Sequence, residues 1–353
     1  MSYKHRVVFY PVGNGDTSQI ITNDGKRVLF DFCHRSTGEN DESQAIDLKN
    51  ELWTELERDN RDYFDVVAFS HSDIDHIRCS TEFFELKYAR QYQGKGRAKI
   101  RELWVPAAML LERPSRDEQS AEFAILRKEA WHRVMKDKGD IRVFSKPSEL
   151  KKELEWRLKQ EGEPPNARDH LFQDAGTLVP GFSLDTDGVE FFCHSPFIKH
   201  CEEGDIVKND ASLVFNVRFR VEGESFDFLQ VGDAPSSVFD DIIHISEFHD
   251  NKDRLEWNLF NVSHHCSYRS LNEENKGTDE TEPTDRMKQL LELGRQNAYI
   301  ISSSLPIKDD AAAKTRSLPP HIQAKKTYEK YLRSNEGRKF LVSMEEPTKT
   351  APK

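Results

Sequence analysis

Short apolar runs bounded by glycine, aspartate or proline recur along this chain, and each reads as a β-strand. Residues 5–12 and 18–22 predict two strands around the turn Gly13-Asn14-Gly15-Asp16, and Arg27 to Phe32 predicts a third, so the chain opens on a small sheet. Between Gln44 and Arg58, Ala45, Leu48, Leu52 and Leu56 recur at helical spacing and predict an amphipathic helix lying on that sheet. Further strands are predicted at Val66 to Phe69, Leu103 to Pro106, Gly188 to Phe192, 212–220, Phe226 to Val231 and Trp257 to Val262. Charged helices are predicted over 117–138 and 147–161, and Pro164-Pro165-Asn166 closes that stretch. A helix over 321–333 and a strand from Lys339 to Met344 end the pattern. Strand-helix-strand order of this kind fits an α/β (α+β) protein in layers, αββα among the possible arrangements.

A chain of 353 residues allows either two domains or one large elaborated domain, and the spread of the polar motifs favours one. We expect a single domain over 1–344, with a helical insertion at about 107–170 and a disordered tail at 345–353. No apolar stretch approaches the roughly 20 residues of a membrane span. The amino terminus runs into a strand without a signal-peptide pattern, so a cytoplasmic protein with no membrane association is the expectation. Five scattered cysteines without a Cys-x-x-Cys pair indicate neither a disulfide framework nor a zinc knuckle.

The strand Val66 to Phe69 ends in Ser70-His71-Ser72-Asp73-Ile74-Asp75-His76, which sets imidazoles and carboxylates on one turn at a strand's carboxyl end. Such a turn can serve metal ions, whereas a merely hydrophilic loop would use Asp73 and Asp75 to cap the next helix. Two later strands end alike, one in Gly232-Asp233-Ala234 and one in Ser263-His264-His265-Cys266-Ser267. Asp31 closes its own strand and could face the cluster or serve as a turn carboxylate.

A second feature is the stretch Lys87 to Arg101, where Lys87, Arg90, Lys95, Arg97, Lys99 and Arg101 interleave with Tyr88 and Tyr92 and no acid intervenes. That pattern can hold nucleic acid by phosphate contact and stacking, although charge runs are more often solvated faces. Net charge of −11 argues against a generally basic surface. The acidic loop Asn272 to Asp285, following the histidines, would repel a polyanion if it overhangs the site.

His-x-Asp-x-Asp-His, then Gly-Asp, then His-His, in this order across nearly the whole chain, resembles the metallo-β-lactamase-fold hydrolases. Within them it is most similar to the ComEC-type branch, which contains the nuclease domain of the bacterial DNA-uptake channel. Val12-Gly13-Asn14-Gly15-Asp16 resembles that branch's V-G-Q-G-D, Asn209-Asp210-Ala211-Ser212-Leu213-Val214 its N-x-x-S-x-V, and His264-His265-Cys266-Ser267 its H-H-G-S. The resemblance implies a four-layer αββα fold and two divalent ions, Zn2+ or Mn2+, held by His71, Asp73, Asp75, His76, Asp233 and one or both of His264 and His265. Asp233 would bridge the ions, and Asp31 and Asn209 would lie beside the ligands or the substrate. Asp73 stands where the wider family has histidine and Cys266 where it has glycine, which puts one ion's position in question. A carboxylate at 73 makes that half of the site harder and better suited to manganese or magnesium, while the other half still suits zinc.

Two such ions can hold a bridging hydroxide and polarise a phosphoryl or acyl group, so no protein nucleophile is required. Asp75 and His265 are then the residues closest to the chemistry, and whichever of His264 and His265 does not bind metal could protonate the leaving group. A phosphodiesterase or nuclease is the expected function, with a phosphodiester substrate, DNA among the candidates. The alternatives are hydrolysis of a small phosphodiester or ester, and a metal-stabilised regulatory module whose protein partner docks on the helical insertion.

Overall fold

The computed structural model describes residues 4–40, 43–94, 96–113, 119–202 and 208–346. Seven strands form one sheet in chain order: β1 (Arg6–Phe9), β2 (Ser18–Ile21), β3 (Arg27–Phe30), β4 (Tyr63–Ala68), β5 (Lys99–Pro106), β6 (Ile141–Phe144) and β7 (Phe172–Gln173). A second sheet holds β8 (Thr177–Leu178), β9 (Val189–Ser195), β10 (Val214–Val221), β11 (Glu224–Gln230), β12 (Trp257–Asn261), β13 (Gly294–Ser302) and β14 (Lys339–Val342), again in chain order. Each sheet is part antiparallel and part parallel, with β3 to β7 and β11 to β14 running parallel.

The parallel strands are apolar on both faces, and the alternation of side chains sorts them into layers. Phe30, Val66, Ala68, Trp104 and Phe144 point from the first sheet toward Phe191, Phe215, Val217 and Phe228 of the second, forming one core between the sheets. Their neighbours Leu29, Val67, Leu103 and Val143 point outward onto Leu48, Leu52 and Leu56 of the helix Leu48–Arg58 and onto the helices Gln119–Lys136 and Ser148–Gln160. Phe260 and Ile300 point outward from the second sheet onto the helices Ser236–Phe248, Asp285–Glu292 and Ile322–Ser334. The result is a mixed α/β protein of two sheets with helices on both outer faces, the four-layer αββα order that the resemblance implied.

At the centre of the inner core Trp104 meets Phe144, Phe191 and Phe215 with ring centroids 5.2 to 5.7 Å apart in this group. Each buried aromatic of this kind stabilises the fold by roughly 1.5–3 kcal/mol. The layering thereby fixes the ends of β3, β4, β11 and β12, and the polar turns that follow them.

The stretch 107–170 is less purely helical than its charge pattern suggests. β6 lies inside it and pairs in parallel with β5, while Phe123, Leu126, Trp131, Leu150 and Leu154 pack into the outer core. Alternation in Ile141-Arg142-Val143-Phe144 is too short to stand out between two charged helices. Within the expected tail, Glu345 accepts a hydrogen bond from the Ile307 backbone and Glu346 pairs with Lys339, whereas 347–353 lie outside the described residues.

Candidate metal centre

All the polar turns identified in the sequence emerge from carboxyl ends of strands that are level with one another. Phe30 of β3 is in register with Ala68 of β4, and Leu229 of β11 with Phe260 of β12. Asp31, the turn Ser70 to His76, Asp233 and His264-His265 therefore leave the two sheets at one edge. Close approach is required there, because a Cβ on Gly232 would lie 2.9 Å from Ser70 Cβ, and Gly232 itself has φ +47. Leu213 N donates to Ser70 O, and His264 N to Gly232 O, which joins the two sheets' turns through the backbone.

Asp233 is the meeting point. Its Oδ1 lies 3.1 Å from His76 Nε2, and its Oδ2 lies 3.8 Å from His71 Nε2, 3.8 Å from His264 Nε2 and 3.9 Å from His265 Nε2. Two groups of ligand atoms are close enough to serve one cation each: His71, His76 and Asp233, and Asp75, His76 and His265, with all atoms of a group within 4.8 Å of one another.

The ring nitrogens facing away from the cluster are held by the fold. His76 Nδ1 lies 2.8 Å from Asp31 Oδ2, and Ser70 donates its amide and hydroxyl to the same carboxylate at 2.6 and 2.7 Å. Having given its proton to Asp31, the Ser70 hydroxyl accepts from His71 Nδ1 at 3.0 Å. His265 Nδ1 donates to the Ser303 carbonyl at 2.9 Å. Three Nε2 atoms are thereby turned inward, the arrangement by which carboxylates and carbonyls orient metal-binding imidazoles.

Among the described residues, His71 Nε2, His76 Nε2 and Asp233 Oδ1 are buried without a well-aligned hydrogen bond, the 3.1 Å approach of His76 Nε2 to Asp233 Oδ1 included. Unpaired buried polar atoms are rare and costly, so three in one cluster fit a cation better than they fit each other. The electrostatics agree in direction. Burial alone would push His76 and His265 down, but Asp233 with Asp31 holds His76 well above an ordinary histidine, and Asp233 with Asp75 holds His265 at about 9. Asp233, despite burial, is held well below the usual carboxylate range by His76, His264 and His265. Positive charge is what this cavity stabilises.

The backbone pays locally for the geometry. Asp31 and the consecutive residues His264, His265 and Cys266 have φ between +51 and +66, a conformation costing L-residues on the order of 1–3 kcal/mol each. Glycine adopts this conformation at least cost, yet position 266 carries a cysteine, whose side chain fills the second outer core.

The remaining sequence candidates are placed as follows. Asp73 stands on the rim, 3.7 Å from His71 Nε2, and its other oxygen is 3.1 Å from Lys208 Nζ. Lys208 is also 3.2 Å from Glu112, which accepts from the Ser72 hydroxyl. Asn209 follows Lys208 on the loop that packs against Ser70. His264 is about a quarter exposed and faces the mouth, whereas His265 is buried.

Asp16, Lys208 and Glu112 are site residues that the sequence reading did not select. Asp16 is buried with both carboxylate oxygens unpartnered, its pKa raised by burial against the opposing pull of His265 and His76. Its signal was present in Val12-Gly13-Asn14-Gly15-Asp16, but a turn ending in Asp looks the same whether or not it folds inward. Here Gly15 allows the fold, since a Cβ there would lie 2.5 Å from Cys33 Sγ, and Asp16 N donates to Asp75 O.

The basic stretch is not brought to this site. Lys99 pairs with Tyr63 at the start of β4, and the cluster lies beyond its end at Ala68, about 16 Å along the strand. Lys87 pairs with Asp140, Lys99 with Asp62 and Arg101 with Asp65, while Arg97 donates to the Thr81 and Phe84 carbonyls. Arg90 is exposed in a short 3-10 turn, Tyr88 and Tyr92 stack on each other, and Lys95 lies outside the described residues. The acidic loop is likewise paired, Asp279 with Lys314 and Lys326, Glu280 with Lys330 and Glu282 with Lys288.

Fold and site together define a two-sheet αββα protein with a buried histidine-aspartate centre suited to divalent cations. No family model and no curated protein matches the sequence. Among solved structures the chain is similar to CmlA, a diiron beta-hydroxylase from Streptomyces venezuelae, at 10% identity and a TM-score of 0.38, covering 96% of this chain and 53% of that one. The chain thus spans about half of that protein's length. It is also similar to the metallo-beta-lactamase GOB-18 from Elizabethkingia meningoseptica, at 12% identity and a TM-score of 0.34 over 82% of this chain and 87% of that one. A diphosphatase from the PhnP family matches at 12% identity and a TM-score of 0.32 over 90% and 94% of the respective chains. Among the described residues no helix is long and apolar enough to cross a membrane.

Proposed function

We propose that this protein is a metal-dependent hydrolase, specifically a phosphodiesterase acting on small substrates. The observation that carries the reading is the pair of three-ligand groups sharing His76 at level strand ends, with His71 Nε2, His76 Nε2 and Asp233 Oδ1 otherwise unpartnered among the described residues and His265 Nε2 bonded within the cluster, 3.2 Å from Asp75 Oδ2. His71, Asp233 and the rim carboxylate Asp73 would hold one divalent ion, Zn2+ or Mn2+, and Asp75, His76 and His265 the other, with Asp233 reaching both. Bound there, the ions supply Lewis-acid polarisation of the scissile phosphoryl group and a nucleophile from water at neutral pH.

The protein's own residues complete the chemistry. Asp31 and Ser70 lock the orientation of His76 and His71, and Ser303 that of His265. His264, about a quarter exposed at the mouth and 3.8 Å from Asp233, would give a proton to the departing oxygen. A small substrate is favoured over DNA because the six-cation stretch lies at the other end of β4 and β5 and its described lysines have carboxylate partners.

The test combines elemental analysis of the purified protein with cleavage assays on bis(4-nitrophenyl) phosphate, single-stranded DNA and duplex DNA. Bound divalent metal and turnover of the small diester are expected. A protein without metal, or one loaded with Zn2+ or Mn2+ that cleaves none of the three, refutes the hydrolase. Preference for DNA polymer refutes the small-substrate assignment.

A further inference from the structure

Beyond β13 the chain runs through a loop, residues 305–320, whose two ends are both fastened to the candidate centre. At its start Ser303 accepts from His265 Nδ1, and Leu305 N donates to the side chain of Asn14, two residues from Asp16. At its end the Pro319 carbonyl accepts from the same Asn14 side chain, and His321 N donates to Cys266 O. The loop encloses a half-open hollow of about 690 Å³ lined by Leu305, Ile307, Lys308, Ala312, Arg316 and Pro320, among others. That volume lies within the range of small-ligand sites, about 300–1,000 Å³.

Lysines around the hollow are committed, Lys314 and Lys326 to Asp279 and Lys276 to the Lys314 and Arg316 carbonyls. The side chains of Lys308 and Arg316 have neither a carboxylate nor a hydrogen-bond partner among the described residues, and the one carboxylate in the lining, Asp310, is occupied in accepting from Ala313 N at 2.8 Å. His321 links the hollow to the centre, because its backbone N donates to Cys266 O while its ring Nε2 lies 3.3 Å from the carbonyl of Ser317, a lining residue. Leu305 is 41% exposed and, with Ile307 and Pro320, gives the lining an apolar side beside the two cations.

Resting on the phosphodiesterase reading, we propose that this hollow binds the part of the substrate beyond the scissile bond, and that this part is a nucleotide-sized phosphorylated group. Arg316 provides the planar donors suited to a phosphate, Lys308 a second charge, and Leu305, Ile307 and Pro320 a surface for an apolar ring.

The experiment titrates adenosine 5′-monophosphate, adenosine and inorganic phosphate into the full chain by calorimetry, for wild type, Arg316→Gln, Lys308→Gln and the double variant. Both side chains are exposed and unpartnered, so unchanged melting temperatures are expected. Each single substitution is expected to weaken the monophosphate about tenfold, the double more, with adenosine and phosphate both binding wild type more weakly than the nucleotide. Equal affinity of wild type and double variant for the monophosphate overturns the subsite, as does phosphate binding as tightly as the nucleotide. Turnover of bis(4-nitrophenyl) phosphate separates this from the underlying reading. Turnover retained with nucleotide affinity indifferent to both substitutions removes the subsite and leaves the hydrolase; nucleotide affinity lost on substitution in a protein with no turnover keeps the subsite and removes the hydrolase.

Discussion

The two ends of the first sheet carry the two densest groups of charged residues noticed in the sequence, and they have opposite fates. At the carboxyl ends of the strands, His71, His76 and Asp233 come together from distant parts of the chain, buried and with atoms left unpaired. At the amino ends, Lys99 and Arg101 lie in the open, each beside a carboxylate of its own. Exposed charges find local partners for little gain, whereas buried polar atoms are expensive to leave unmade. Lack of a partner in the interior, rather than density of charge along the chain, is what marks a functional centre.

The contrast breaks most directly at Asp233. Changing Asp233→Asn keeps volume and removes the carboxylate that both ligand groups approach, so turnover is expected to fall by more than about a hundredfold, beyond what loss of an outer orienting group causes. Near-normal turnover in a metal-loaded, folded preparation would show that the cluster is not the reactive centre.

His194 extends the contrast to a buried imidazole bonded to a carbonyl, that of Arg254, instead of a carboxylate. Burial holds its pKa at about 4, below the value of about 6.5 in an unfolded chain. The folded protein therefore binds fewer protons, and its stability is full above about pH 6.5 and declines as pH falls toward 4. This amounts to about 3 kcal/mol for the group. Urea unfolding at pH 7 and pH 4.5 is expected to show a smaller acid loss in His194→Gln than in wild type, and equal losses would contradict it.

Asp31→Asn sharpens the distinction between holding an ion and orienting the groups that hold it. It leaves the inward atoms in place but weakens the brace on His76 and Ser70, and Zn2+ affinity measured against a chromophoric chelator is expected to drop about 10- to 100-fold. An unchanged affinity would make Asp31 a folding residue alone. The smallest effect is expected at the opposite end of the sheet, where Lys99→Glu and Arg101→Glu together should leave the rate of small-diester hydrolysis unchanged within error. A clear loss would return the basic stretch to the site.

Much of the scaffold was legible because burial on both faces of a parallel strand leaves an unbroken apolar run, as in Val66 to Phe69 and Leu103 to Pro106. β6 escaped because four residues between charged helices carry no periodic signal, and β13 because its first half, Gly294-Arg295-Gln296-Asn297, is polar. Within the centre, ligand types and their order could be read from strand-ending motifs. Asp16 could not be recognised as a buried carboxylate, since a turn's inward fold depends on a contact between Gly15 and Cys33 that no local pattern announces.

What the sequence determined by itself was therefore local: strand and helix periods, and the chemistry that each strand end delivers. The tertiary structure decided which charges stay unsatisfied. Lys99 met Asp62 across the sheet, and Lys208 met Asp73 and Glu112 at the rim, while Lys308 and Arg316 have no ion-pair partner among the described residues. A charge's partners are set by distances of a few ångströms between residues far apart in the chain, and because Coulomb energy and desolvation both depend on that surrounding space, a one-dimensional pattern of charges cannot contain them.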